Sequence, residues 1–224
     1  MVTAAFIPAR KTSSRFPEKN LQPWVDGRPL IRVALELAAD AKRNGFFDRV
    51  IFTRDWSTPS WRDSGTDSDG VEHEIRSEEM RAPSIRVIDL LRDWLGRQEE
   101  KPGAVCVMVP TSPLRTMRHL VESYRLFEQE RADVALSVVT RAGAYRRKRD
   151  SVYWFSEPEA QEHDGTVLWC RSGFALSEEA GGKDGFYASC RIVEYAVPSG
   201  ESADINRPID LEWARFLHGL RPRT

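Results

Sequence analysis

Short apolar runs alternate with amphipathic segments along most of the chain. Four runs that are apolar or rich in β-branched residues predict buried strands, at residues 4–7, 49–53, 105–109 and 133–139. Apolar residues at helical spacing predict helices over 31–43, from a cap at Ser84 to Gly96, and from Thr116 onward. Strand, helix and strand in this succession predict right-handed βαβ units. The pattern therefore predicts an α/β domain with a mostly parallel sheet and helices on both faces.

Two regions interrupt this alternation. Residues 57–70 are rich in Ser, Thr, Asp and Gly and predict a loop, in which Trp61 either caps the core or stacks on a ligand ring. Residues 151–155 alternate like a short strand within a segment, 141–166, that predicts a small protruding β-arm. Everything else fits one domain spanning 1–224.

Composition narrows the class of protein. Hydrophobic residues make up 41% of the 224 residues, which is typical of a globular protein. The net charge is −1, so the overall charge does not favour binding to nucleic acid or to an anionic membrane. The basic run YRRKR at 145–149 is isolated and reads as a solvated edge or a basic rim for an anionic ligand. We expect no signal peptide, no membrane span and no metal site built from Cys and His, and hence a cytoplasmic address.

The candidate chemistry begins directly after the first predicted strand. Residues 8–20 read PARKTSSRFPEKN, with four cations and three hydroxyls in a short loop. In open α/β sheets, ligands bind at the carboxyl ends of the strands, where this loop begins. Such a loop suits a polyanion, and a triphosphate is the natural candidate. A solvated basic loop is the alternative that composition alone leaves open.

Four stretches, in order, resemble the motifs of the CMP-N-acetylneuraminate (nonulosonic acid) cytidylyltransferase family. They are PARKTSSRFPEKN at 8–20, PTSPLR at 110–115, HDGTVLW at 163–169 and ESADINRPIDL at 201–211. The resemblance runs nearly the whole chain. It implies a Rossmann-like nucleotide-diphospho-sugar transferase sheet, a homodimer, and transfer of CMP from CTP to an acidic acceptor.

The resemblance also implies roles for individual residues. Arg10, Lys19 and Asp204 would be catalytic, and Mg²⁺ would bind at Asp204 and Asn206. The residues expected to hold the nucleotide are Arg10, Ser13, Arg15, Lys19, Asn20, Arg76, Thr111 and Ser112. Arg76 matches its family motif loosely and could equally be a surface arginine. The side chains of Asn206 and Asp210 could instead cap the helix that Pro208 opens.

Three departures from the family pattern bear on the acceptor. Val109 stands where the family has Gln, Asn206 stands where it has a second carboxylate, and the 141–166 arm is short. A nonulosonic acid is the expected acceptor, and a smaller sugar acid or a phosphonate is the alternative. A nucleotide-binding module without catalysis, acting as a sensor or scaffold, is the hypothesis from another class.

Overall fold

A computed structural model describes residues 1–58, 64–141, 147–148, 151–152, 160–181 and 190–220. Within them the strands are β1 (Thr3–Ala9), β2 (Arg49–Arg54), β3 (Ser64–Thr66), β4 (Val71–Ile75), β5 (Ala104–Val107), β6 (Val134–Arg141), β7 (Arg147–Lys148), β8 (Ser151–Val152), β9 (Ala160–Arg171) and β10 (Ile192–Val197). The helices are α1 (Leu30–Arg43), α2 (Val87–Gly96), α3 (Met117–Gln129), α4 (Ser172–Leu176), α5 (Glu178–Gly181) and α6 (Pro208–Gly219).

Eight of the strands form one sheet in the order β10-β6-β9-β5-β1-β2-β4-β3. The pairs β1–β2, β1–β5, β2–β4 and β6–β10 are parallel. Two strands run the other way: β9, between β5 and β6, and β3, at the edge. The prediction of a mostly parallel sheet is confirmed.

Alternate residues of β1 enter different cores, because successive side chains of a strand point to opposite faces. Ile7 joins a core with residues of α1 and α3, centred on Trp169, whose indole donates to Ser123 at 2.9 Å. Phe6 joins the core on the other face, where it contacts Trp94 of α2 at 5.7 Å between ring centroids. The sheet therefore carries helices on both faces, as predicted.

A third apolar cluster joins three of the predicted motifs. Phe16 lies within the cationic loop and Trp24 follows it, Leu114 follows β5, Ile205 precedes α6 and Leu211 lies in its first turn. These side chains are buried against one another. Their packing brings residues from distant parts of the sequence to the carboxyl end of the parallel strands.

Several predicted boundaries were wrong. The cap of α2 is Arg86, not Ser84, because Ile85 still belongs to a turn in which its N–H donates to Ala82. The predicted loop at 57–70 contains β3, which pairs with β4 as an antiparallel edge. The sequence pattern missed β4 and β10. It also gave no strand for 160–171, where β9 runs for twelve residues.

Parts of the predicted arm are described. Strand β6 extends to Arg141, and β7 and β8 form a two-stranded antiparallel pair. Trp61, Tyr145 and residues 153–155 of the strand predicted at 151–155 lie outside the described residues. The division into one domain with an arm at 141–166 stays a prediction. No helix among the described residues is long and apolar enough to cross a membrane.

Candidate active site

Six cationic side chains line a cleft of about 800 Å³ at the carboxyl ends of β1, β2, β4 and β5. They are Arg10, Arg15, Lys19, Arg76, Arg81 and Arg86. Asp55 is the one carboxylate among the residues that line the cleft in the described structure. An excess of positive charge of this size suits a polyanionic ligand.

Hydrogen bonds hold the loop after β1 to two neighbouring segments that also line the cleft. The Arg10 guanidinium donates to the carbonyl oxygens of Pro83 and Ala82, both at 3.2 Å, and to that of Ile85. The backbone N–H of Lys11 donates to Asp55 at 2.8 Å. Arg10 thus holds the segment before α2, in addition to the ligand-binding role predicted for it.

Asn20 is buried at the base of this loop with a fixed orientation. Its Nδ2 donates to the carbonyl oxygen of Arg10 at 2.8 Å, while its Oδ1 has no hydrogen-bond partner. Glu18 adopts a left-handed conformation (φ +50°) just before the short 3-10 turn that contains Asn20. The turn therefore leaves an unpaired acceptor on a residue that lines the cleft.

Arg76 follows β4 and is 97% buried, so it is not the surface arginine that the sequence left open. Its guanidinium donates to the carbonyl oxygen of Thr53 at 3.1 Å, and its Nη1 has no partner. Burial lowers the pKa of Arg76 to about 10, and the nearby Asp55 carboxylate only partly offsets this. Arg76 is thus a buried cation with a free donor on the cleft lining.

Lys19 and Arg15 converge on Asn206, which lies close in space although far away in sequence. Arg15 Nη2 donates to Asn206 Oδ1 at 2.8 Å, and Lys19 Nζ donates to the same oxygen at 3.3 Å. Asn206 Nδ2 donates in turn to Asp204 at 2.6 Å. Burial lowers the pKa of Lys19, and the attraction of Asp204 opposes that shift.

The segment that carries Asp204 is anchored at several points. Its Ile205 N–H donates to the carbonyl oxygen of Thr111 at 2.9 Å, which joins the segment to the turn after β5. The N–H of Asn206 donates to Asp210 at 3.0 Å. Glu201 contacts Nε2 of the fully buried His119 at 2.9 Å. Of the two side chains that the sequence offered for capping α6, Asp210 is therefore the one that does so. It accepts from the backbone N–H of Asn206, and the side chain of Asn206 takes no part.

Some predicted site residues do not line the cleft. Thr111 does, whereas Ser112, Asp204 and Asn206 do not. Asp204 lines a separate cavity of about 330 Å³, which also contacts Trp213 of α6. Ser112 is buried and its hydroxyl has no hydrogen-bond partner.

The geometry of the site shows which side chains could bind a metal ion. The described residues contain no cluster of three or more His, Cys, Asp or Glu side chains suited to a metal. Asp204 is exposed, and one carboxylate together with substrate phosphates is a set that Mg²⁺ accepts. The side-chain oxygen of Asn206 already accepts from two cations. Asp204 therefore fits Mg²⁺, and Asn206 does not in this arrangement.

Sequence reasoning missed Arg115 and Asp164. Arg115 is buried and donates to the carbonyl oxygens of Val109 at 2.9 Å, Gly165 at 3.3 Å and Thr166. Burial alone would raise the pKa of Asp164, but hydrogen bonds from neighbouring hydroxyls and the Thr166 N–H lower it. Arg115 lies inside the motif at 110–115 and Asp164 inside the motif at 163–169, so these motifs were the sequence signal that could have identified them.

Comparison with known proteins extends the resemblance over the whole chain. Two pseudaminic acid cytidylyltransferases from Campylobacter jejuni subsp. jejuni are 23% and 24% identical over 240 aligned residues, covering 97% of this chain and of each relative. An N-acylneuraminate cytidylyltransferase of Escherichia coli is 25% identical over 138 residues, which is 62% of this chain and 31% of that protein. No protein-family model matches the chain.

Solved structures agree on the fold. A CMP:2-keto-3-deoxy-manno-octonic acid synthetase complexed with CTP superposes with a TM-score of 0.66 at 17% identity, over 98% of this chain and 99% of that one. The 2-C-methyl-D-erythritol 4-phosphate cytidylyltransferase of Francisella tularensis gives 0.67 at 15% identity, over 97% and 100%. The resemblance stated from the sequence motifs is confirmed, since the named relatives are cytidylyltransferases.

Proposed function

We propose that this chain, a relative of the sugar-acid cytidylyltransferases over nearly its whole length, transfers CMP from CTP to a sugar acid and releases pyrophosphate. The observation that carries the proposal is the cationic cleft beside two buried, unpaired polar atoms, Asn20 Oδ1 and Arg76 Nη1. The cations suit a triphosphate, and the two unpaired atoms suit one particular base.

The base would be read by a donor and an acceptor. Cytosine offers an amino group as donor and ring nitrogen and carbonyl oxygen as acceptors. Asn20 Oδ1 can accept from the amino group, and Arg76 Nη1 can donate to an acceptor. Uracil has a carbonyl oxygen in place of the amino group, so it would leave Asn20 Oδ1 unpaired at a cost of about 1–3 kcal/mol. This pairing favours CTP over UTP.

Catalysis would come from positioning and charge. An acceptor oxygen attacks the α-phosphorus in line and the bond to pyrophosphate breaks, so negative charge grows on the leaving group. Lys19 and Arg15 both line the cleft and both contact Asn206, and they would offset that charge, while Ser13 and Arg10 would orient the triphosphate. Mg²⁺ held by Asp204 would supply further neutralisation of the phosphates.

Pseudaminic acid is the first acceptor to test, because the two relatives that match end to end are named for it. A smaller sugar acid or a phosphonate is the alternative, supported by Val109 on the cleft lining where the related motif has Gln. A cytoplasmic homodimer completes the proposal. Sedimentation velocity would test the dimer, and a monomer at micromolar concentration would contradict it.

The decisive experiment is calorimetric titration with CTP, UTP, ATP and GTP in Mg²⁺, followed by an acceptor panel read by pyrophosphate release and product mass. We expect CTP to bind most tightly and one sugar acid to yield a CMP conjugate. Equal binding of all four nucleotides would contradict the base assignment. Selective CTP binding without turnover on any acceptor would favour the non-catalytic module.

A further inference from the structure

The side chain of Asn206 joins two cations to one carboxylate. Its oxygen accepts from Arg15 at 2.8 Å and from Lys19 at 3.3 Å, and its nitrogen donates to Asp204 at 2.6 Å. An amide can make these contacts at once because it has an acceptor at one end and donors at the other. A carboxylate at this position would have no donor to offer Asp204.

We infer that Asn206 is a positioning residue that aims Lys19 and Arg15 at the outer phosphates of the nucleotide, and that it is not a metal ligand. The inference rests on the proposed function, since it presumes that a triphosphate fills the cleft. A metal ligand at 206 would have to turn its oxygen away from both cations. The contacts with Lys19 and Arg15 would then be lost.

The neutral amide also preserves the charge of the cation pair. With Asp at 206, one negative charge would lie against Lys19 and Arg15 and a second would lie at Asp204 beside it. The positive charge available to phosphates would fall, and the two carboxylates would repel each other. The structure therefore links Asn206 to a pyrophosphate site whose attraction comes from Lys19 and Arg15 and does not require a metal.

The main-chain role of Asn206 is separate from its side chain. Its backbone N–H donates to Asp210 at 3.0 Å, and the neighbouring Lys19 Nζ also reaches the carbonyl oxygen of Ile205 at 3.2 Å. Neither contact involves the side-chain amide of Asn206. Substitution of the side chain therefore leaves the cap of α6 in place and tests the bridge alone.

The experiment compares inorganic pyrophosphate binding to wild type, Asn206→Ala and Asn206→Asp, each in EDTA and in Mg²⁺, by calorimetry. We expect Asn206→Ala to weaken binding in EDTA by about tenfold, because charge-assisted hydrogen bonds are lost. Asn206→Asp should weaken it further, since it adds negative charge. The factor by which Mg²⁺ strengthens pyrophosphate binding should be the same in Asn206→Ala as in wild type.

Asn44→Asp is the matched control. It makes the same chemical change on the exposed end of α1, where Asn44 Nδ2 donates to the backbone carbonyl oxygen of Asp40 at 2.8 Å. It should bind pyrophosphate like wild type. Unchanged affinity of Asn206→Ala in EDTA with loss of the Mg²⁺ enhancement would overturn the inference and make Asn206 a metal ligand. A parallel titration of wild type with CTP separates the two ideas, because failure to bind CTP in EDTA and in Mg²⁺ would refute the proposed function instead.

Discussion

Arg115 donates from Nη2 to the carbonyl oxygen of Gly165 at 3.3 Å, across fifty positions of sequence. This contact joins two of the motifs, PTSPLR at 110–115 and HDGTVLW at 163–169. Arg115 ends the PTSPLR turn after β5, and Gly165 lies in β9 where its register against β6 shifts between Leu136 and Val138. The irregular stretch exposes backbone carbonyls to the interior, and a buried guanidinium satisfies them.

Replacing Arg115 with Met should destabilise the fold by about 3–5 kcal/mol. The substitution keeps much of the volume but leaves the carbonyl oxygens of Val109, Gly165 and Thr166 without their donor, each at a cost of about 1–3 kcal/mol. Urea unfolding followed by tryptophan fluorescence measures the change. Arg191→Met, at an exposed ion pair with Glu130, is the control and should cost about 0–1 kcal/mol. Equal losses in both variants would refute this account.

Gly165→Ala should reduce turnover and stability together. Gly165 has φ +71°, where a side chain costs about 1–2 kcal/mol. A Cβ there would also lie 3.3 Å from Ser112 Oγ, beside the cleft. Gly173→Ala is the matched control, because its φ is not positive and no atom lies within 4 Å of the added carbon. A Gly165→Ala protein as stable and active as the Gly173→Ala protein would contradict the prediction.

Lys19→Met should remove most turnover and one contribution to the pH dependence of stability. Burial lowers the pKa of Lys19 below 10.5, so the folded state disfavours its charged form relative to the unfolded state. That cost is fully present below the folded pKa and disappears as pH rises through 10.5. We expect the Tm of wild type to rise relative to that of Lys19→Met as the pH is raised from 7 to 10.5. Near-normal turnover in Lys19→Met would remove Lys19 from the catalytic proposal.

Asn20→Ala should weaken the preference for CTP over UTP by about tenfold or more, since the buried acceptor that distinguishes the two bases is removed. Competition binding of both nucleotides measures the ratio. Gln22→Ala is a nearby control, because its side chain donates only to the carbonyl oxygen of Pro17 at the surface. An unchanged ratio in Asn20→Ala would show that the base is read elsewhere.

The sequence by itself determined the α/β class, the parallel strands β1, β2, β5 and β6, and the cationic loop. These features depend on local periodicity and on charges close together in the chain, which a pattern can record. It also marked 110–115, 163–169 and 201–211 as stretches of interest.

Only the tertiary structure decided how those stretches meet. Strand β9 lies between β5 and β6 and runs antiparallel to both, and such a pairing is set by tertiary packing, which no local pattern records. The unpaired atoms of Asn20 and Arg76, and the bridge from Lys19 through Asn206 to Asp204, follow from burial and packing. A side chain's free donor or acceptor is defined by its neighbours in space, and most of those neighbours lie far away along the chain.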